Sequence, residues 1–229
     1  MFFKFFVLIF ALSKSLKYMT QKEIIVEKAS QMFVNQGIKA VRMDDIAQEL
    51  SISKRTLYEM FGDKEELIYQ SIGLFISQGV ERRKQQCQQL DNVLEIMLLS
   101  LRDMINHAPI ANRMRRNLQR FYPSVYARLE GEEKRKTAQQ LRGWIHACVE
   151  HGYFTKTAES DFVVKVLQSS TYGIMMADKC DIGDPQEVIY MMTYAIVVFL
   201  RGLCTQNGIE VIDRCFDSYF GNIAKSSTL

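Results

Sequence analysis

Proline and glycine are scarce in this chain, with 3 and 12 among 229 residues. A sandwich or barrel of many short strands needs frequent turn residues, so that scarcity excludes one and favours long helices. A surplus of one charge is also missing. The 29 Lys and Arg face 26 Asp and Glu, a net of +3 that cannot by itself imply a nucleic-acid partner. Cysteine is sparse and odd in number at five, with no C-x-x-C pair. That pattern fits reduced thiols in a cytoplasmic protein rather than a secreted disulfide framework. Gly-rich phosphate loops, nucleophile elbows and H-E-x-x-H are all absent. His146 and His151, five apart, lie off one helical face, and Cys148 between them has no paired thiol. Neither an enzyme nor a metal or cofactor site is therefore expected. What is present is ordinary for a folded domain: 48% hydrophobic and 24% charged residues.

Residues 1–18 stand apart. Lys4 precedes an apolar run from Phe5 to Leu12, too short for the roughly 20 residues of a membrane helix. A secretory signal is compatible with the run's length, but no clear small-x-small cleavage site follows. An accessory or membrane-touching extension is another reading. The third, which we take as the expectation, is a mis-assigned start with translation beginning at Met19. Membrane contact is expected only if residues 1–18 belong to the protein.

From there the pattern is helical throughout. Thr20 with Glu23 forms a capping box. Ile24, Ile25, Lys28, Ala29, Met32 and Phe33 follow at helical spacing, and Gly37 stops the helix. A short helix is predicted from about Asp44 to Leu50, with Ile46, Ala47 and Leu50 on its inner face. After the Ser51–Ser53 turn, Ser53 caps a third from Lys54 to Phe61. Asp63 with Glu66 starts a long fourth helix reaching the Arg82–Gln89 region. Further spans are expected over about 91–107, 110–121, 124–151, 160–178, 185–206 and 209–220. Pro109, Pro123, Gly152, Gly183 to Pro185 and Gly208 divide them. The reading is all-α: a helix-turn-helix head over 19–66 and a larger helical domain over 67–224.

Two short helices joined by a three-residue turn and braced by a third form a unit that lays its second helix in the DNA major groove. Leu57 and Phe61 share one face and should bury with Phe33, Ile46 and Ala47. Lys54 and Tyr58 share another, where their head groups suit phosphate oxygens. Arg55 and Thr56 lie between them and are the better candidates for base edges; arginine can grip guanine with two hydrogen bonds. Lys64 at the start of the fourth helix and Arg42 before the second are candidates for backbone contacts. Charge alone does not argue for DNA, since Thr20–Glu66 carries seven cations and nine acids.

Ala29, Phe33, Gly37, Asp45 to Ala47, Ile52 to Tyr58, Phe61 and Asp63 to Leu67 carry a resemblance. Over about residues 20–70 the chain resembles the DNA-binding domain of the tetracycline-repressor (TetR) family of bacterial transcription regulators. The resemblance implies an all-helical homodimer whose divergent C-terminal domain pairs the subunits and often holds a small effector. It also implies phosphate contacts from the positions of Tyr58 and Lys64. The chain departs from the family at Ser51, where glycine is usual, and at Arg42 and Met43, where a threonine is usual near the helix start. Arg42, Met43, Ser53, Lys54, Arg55, Thr56, Tyr58 and Lys64 are thus the expected DNA-contacting set.

In the C-terminal region Val188–Leu200 contains no charge, and a helix apolar all round must be buried all round. Ser169, Gly173 and Ala177 form a small-residue stripe. Together these two helices are expected to form a four-helix interface between two copies. Met97, Leu101, Met104, Phe121, Tyr122, Tyr126, Trp144, Cys148, Tyr172, Met175 and Met176 offer adaptable apolar surface for a ligand, and equally a plain core. Ala111–Arg142, with nine cations and three acids, reads as a solvated face, with an anionic effector or DNA as alternatives. The expectation is a cytoplasmic, dimeric repressor binding a palindromic operator on double-stranded DNA and responding to a small-molecule effector. The alternative is a DNA-associated scaffold without promoter control.

Overall fold

The computed structural model describes residues 19–175 and 184–225. Its helices are α1 (Gln21–Gln36), α2 (Met43–Glu49), α3 (Lys54–Phe61), α4 (Lys64–Cys87), α5 (Val93–Phe121), α6 (Pro123–Glu150), α7 (Ser160–Met175), α8 (Pro185–Leu203) and α9 (Gln206–Lys225). The chain divides into two compact units between Phe75 and Ile76, within α4. The leader, Met176, Ala177 and Gly183 lie outside the described residues. So does part of the expected stripe and pocket.

In the first unit, Thr20 opens α1 with both halves of the capping box: Glu23 N–H donates to the hydroxyl, and the Glu23 carboxylate accepts from Thr20 N–H. Ile25, Val26, Ala29, Met32 and Phe33 are buried, whereas Ile24, expected on the inner face, is 46% exposed. Its rotation puts it just outside the stripe. Ile46, Ala47, Leu57 and Phe61 are buried as their spacing requires.

The second unit is built on α5, which packs against α6, α7 and α9; α8 packs against α7 and α9. Pro109 does not break the chain into two helices as expected, because α5 runs unbroken past it. The proline is exposed while Ile105, Ala108 and Asn112 are buried. The hydrogen bond it forgoes is therefore on the solvent side, where packing outweighs its loss. The expected break before α9 does occur, but at Cys204 and Thr205, and Gly208 lies in the first turn of α9. A Cβ there would collide with the Tyr153 carbonyl oxygen. The crossing is tied by Thr205, whose hydroxyl donates to the Gly152 carbonyl at 2.6 Å and whose N–H donates to the Tyr153 carbonyl at 2.9 Å.

The uncharged stretch Val188–Leu200 of α8 is buried on one side only. Val188, Ile189, Thr193, Ile196, Val197 and Leu200 are inside; Tyr194 and Val198 are each 50% exposed, and Met191 is exposed too. On α7, Phe162 and Tyr172 are also exposed. Gly173 accommodates Met192 of α8, so this member of the stripe serves packing within the chain. No helix among the described residues is long and apolar enough to cross a membrane.

Candidate nucleic-acid interface

The turn before α3 is set by backbone geometry. The Ser51 N–H donates to the Gln48 carbonyl at 3.1 Å and the Ile52 N–H to the Ala47 carbonyl at 3.0 Å. This paired closure puts the residue after the helix in the left-handed region, and Ser51 has φ +53°. Ser53 then caps α3 by accepting from Thr56 N–H at 3.0 Å, and its Oγ lies 2.8 Å from Thr56 Oγ1. The Thr56 hydroxyl is thus tied to its own cap.

With Leu57 and Phe61 buried beneath, α3 turns Lys54, Arg55 and Tyr58 outward; Tyr58 is 43% exposed. At eight residues, α3 is about 12 Å long, comparable to the width of a major groove. Both of its cations have acidic companions. Lys54 Nζ lies 2.8 Å from Asp44 Oδ1 on α2, and this carboxylate holds the ammonium pKa above its ordinary value. Arg55 Nε donates to Glu59 Oε1 at 2.7 Å. Neither companion was singled out by the sequence reading, although the four-residue spacing of Arg55 and Glu59 was visible there.

Three other expected contacts fall differently. Arg42 is exposed at the N-cap of α2, where its N–H donates to the Asp45 carboxylate at 2.7 Å. Met43 is 5% exposed. Its side chain fills the head's core and is not offered to a duplex. Lys64 is partly buried, with Nζ donating to the Ile38 carbonyl at 3.0 Å, so it ties the start of α4 to the segment between α1 and α2.

The expected ligand-pocket residues are scattered. Met97, Leu101 and Cys148 belong to the closed core of the second unit, with Met104 and Trp144 packed partly buried against it. Phe121, Tyr122 and Tyr126 are half-buried at the α5–α6 corner, where the Tyr126 hydroxyl donates to Glu130 at 2.6 Å. Tyr172 lies outside, with the Arg115 guanidinium 5.9 Å from its ring centre. Of Met175 only the backbone is described. The open depression on α6 and α7, lined by Lys134, Arg135, Ala138, Gln139, Arg142 and Gln168, lies on the basic stretch. Its Lys134 pairs with Glu130 and its Arg142 with Asp161, at 3.2 and 2.7 Å, as on a solvated face. His146 pairs with Glu150, and His151 Nδ1 lies 2.8 Å from the Ala147 carbonyl.

Residues 25–70 match the family model described as "Bacterial regulatory proteins, tetR family". The HTH-type transcriptional repressor KstR2 of Mycobacterium tuberculosis is 24% identical over 156 residues, 65% of this chain and 76% of that protein. A TetR-family transcriptional regulator from Pectobacterium atrosepticum superposes with a TM-score of 0.63 at 18% identity, over 81% of this chain and 94% of that one. A transcriptional regulator from Cytophaga hutchinsonii gives 0.66 at 18%, over 80% and 98%. At such identities the structural likeness establishes the fold, and the match over 25–70 falls on the segment that carries α3.

Proposed function

We propose that this chain, a TetR-family DNA-binding transcriptional regulator, acts as a homodimeric repressor on a palindromic operator and is modulated by a small-molecule effector. The observation that carries the reading is α3 itself: anchored by Leu57 and Phe61, capped by Ser53, and presenting Lys54, Arg55 and Tyr58 on its outer side. Tyr58 and Lys54 are assigned to phosphate oxygens, Arg55 to a base edge, and Arg42 and Ser53 to the flanking backbone. Thr56 contributes its methyl group, its hydroxyl being engaged by Ser53. Met43 is left out, and Lys64 acts by fixing the start of α4 against the α1–α2 segment. The repressor sign rests on the likeness to KstR2. The half-exposed apolar side of α8, with Phe162 and Tyr172 of α7, supports pairing of two copies, as two half-sites about 34 Å apart require. The effector is assigned to the second unit, whose Met97 and Met104 give its core adaptable walls. The site of action is the cytoplasm, where the operator lies.

Fluorescence anisotropy with duplexes selected from a random pool tests the assignment. Tyr58→Ala should weaken binding to selected and scrambled duplexes alike, whereas Arg55→Ala should chiefly erase the difference between them. Equal, sequence-blind losses for both would reject the division of roles. Repeating the titrations against a metabolite panel, with release of the duplex as readout, tests the effector.

A further inference from the structure

Arg55 and Glu59 are one turn apart on α3, joined through Nε and Oε1 at 2.7 Å. The arginine side chain is 86% exposed and the glutamate 60%. Exposed ion pairs add little stability. This one also runs against the helix dipole, with its cation in the first turn and its acid further along. Its effect is therefore geometric. The bond engages Nε and leaves both terminal nitrogens, with four N–H donors between them, for an outside acceptor. A guanine presents two acceptors, O6 and N7, on its major-groove edge. A restrained guanidinium meets that edge without first losing its rotamer freedom.

We propose that Glu59 is a specificity-determining positioning residue, holding Arg55 end-on to a guanine and by its own charge weakening the grip of α3 on phosphates of any sequence. The proposal rests on the DNA-binding reading above. The pairing of Lys54 with Asp44 has the same electrostatic sense. Each α3 cation carries a carboxylate that competes with phosphate, so tight binding requires the right base as well as a backbone.

The test uses the full-length chain and a duplex selected by it from a random pool. Binding is measured to that duplex, to the same duplex with the Arg55-dependent guanine pair changed to adenine–thymine, and to a scrambled duplex. Wild type should prefer the guanine duplex by roughly tenfold. Glu59→Ala should cut that preference to about threefold or less while binding the scrambled duplex at least as tightly as wild type. Arg55→Ala should lack the preference, and adding Glu59→Ala to it should change the preference no further. Glu59→Gln keeps an acceptor for Arg55 Nε, so it should retain most of the preference yet bind scrambled DNA more tightly. Unchanged guanine preference in Glu59→Ala overturns the proposal, as does a loss confined to a cytosine position, which would make Glu59 a base reader in its own right. Circular dichroism and melting curves matching wild type exclude a folding defect. If wild type enriches no sequence at all, the DNA-binding reading fails, and this proposal with it.

Discussion

Ser51 holds a left-handed backbone with an L side chain, at a position where the helix closure leaves no alternative. Such a conformation costs a non-glycine residue about 1–2 kcal/mol. Glycine removes the cost but loses some of the gain to its freer unfolded chain. Ser51→Gly should therefore stabilise the head by about 0.5–1 kcal/mol, read from urea unfolding followed by circular dichroism. The sequence signalled this position only through the family resemblance, which puts glycine where Ser51 stands; the positive φ emerges with the turn. The acidic companions of α3 were less visible. Asp44 and Lys54 are ten residues apart and meet only once the turn is formed. The thiols make a second residue-scale prediction. Burial pushes Cys148 up to about 12 and Cys204 up to about 11 from an ordinary value of 9.0. Burial, with its hydrogen bond to Glu95, lifts Tyr219 to about 12 from 10.0. Raised folded-state values mean that these groups contribute full stability below their unfolded values and lose it as pH climbs toward the folded ones. Unfolding midpoints should hold steady at pH 7–8 and fall between about pH 9 and 12. Alkylation of Cys148 at pH 8 should await unfolding. A midpoint unchanged at pH 10.5 would contradict this.

At the scale of helices, caps and periodicity located most of the structure, and the two errors share one cause. Pro109 and Gly208 were read as punctuation, but what each does depends on the face it occupies. Pro109 is on the solvent side of a helix held by buried neighbours, so the local penalty is borne and the helix continues. Pro109→Ala should raise stability by about 1–3 kcal/mol through the restored amide. A loss instead would mean that the proline shapes α5 in a way the core needs. Gly208 is a matter of closeness: its α-carbon packs against the Tyr153 carbonyl where Thr205 pins the chain. Gly208→Ala should cost about 2–4 kcal/mol, measured in the same unfolding assay. No periodicity signals such an approach, because the residues that meet are more than 50 apart in the chain. Large apolar side chains at helical spacing look alike whether they line a cavity or fill one, which is why the sequence leaves pocket and core open for Met97, Leu101 and their neighbours.

For the molecule as a whole, α8 is the decisive element. Its run of 13 uncharged residues predicts burial on every side, yet one chain covers only half of it. Tyr194→Glu with Val198→Glu should yield a folded monomer by sedimentation. Its affinity for a two-half-site duplex should fall at least 100-fold, while its affinity for a single half-site is kept. A double variant that still sediments as a dimer would move the interface elsewhere. The carboxylates beside Lys54 and Arg55 also matter for economy in the cell. On the proposed reading, in which α3 meets DNA, a nearly self-neutralised helix would displace few counterions from DNA of arbitrary sequence, leaving little of the protein on irrelevant sites. On that same reading, few copies per cell would be needed to keep one operator occupied.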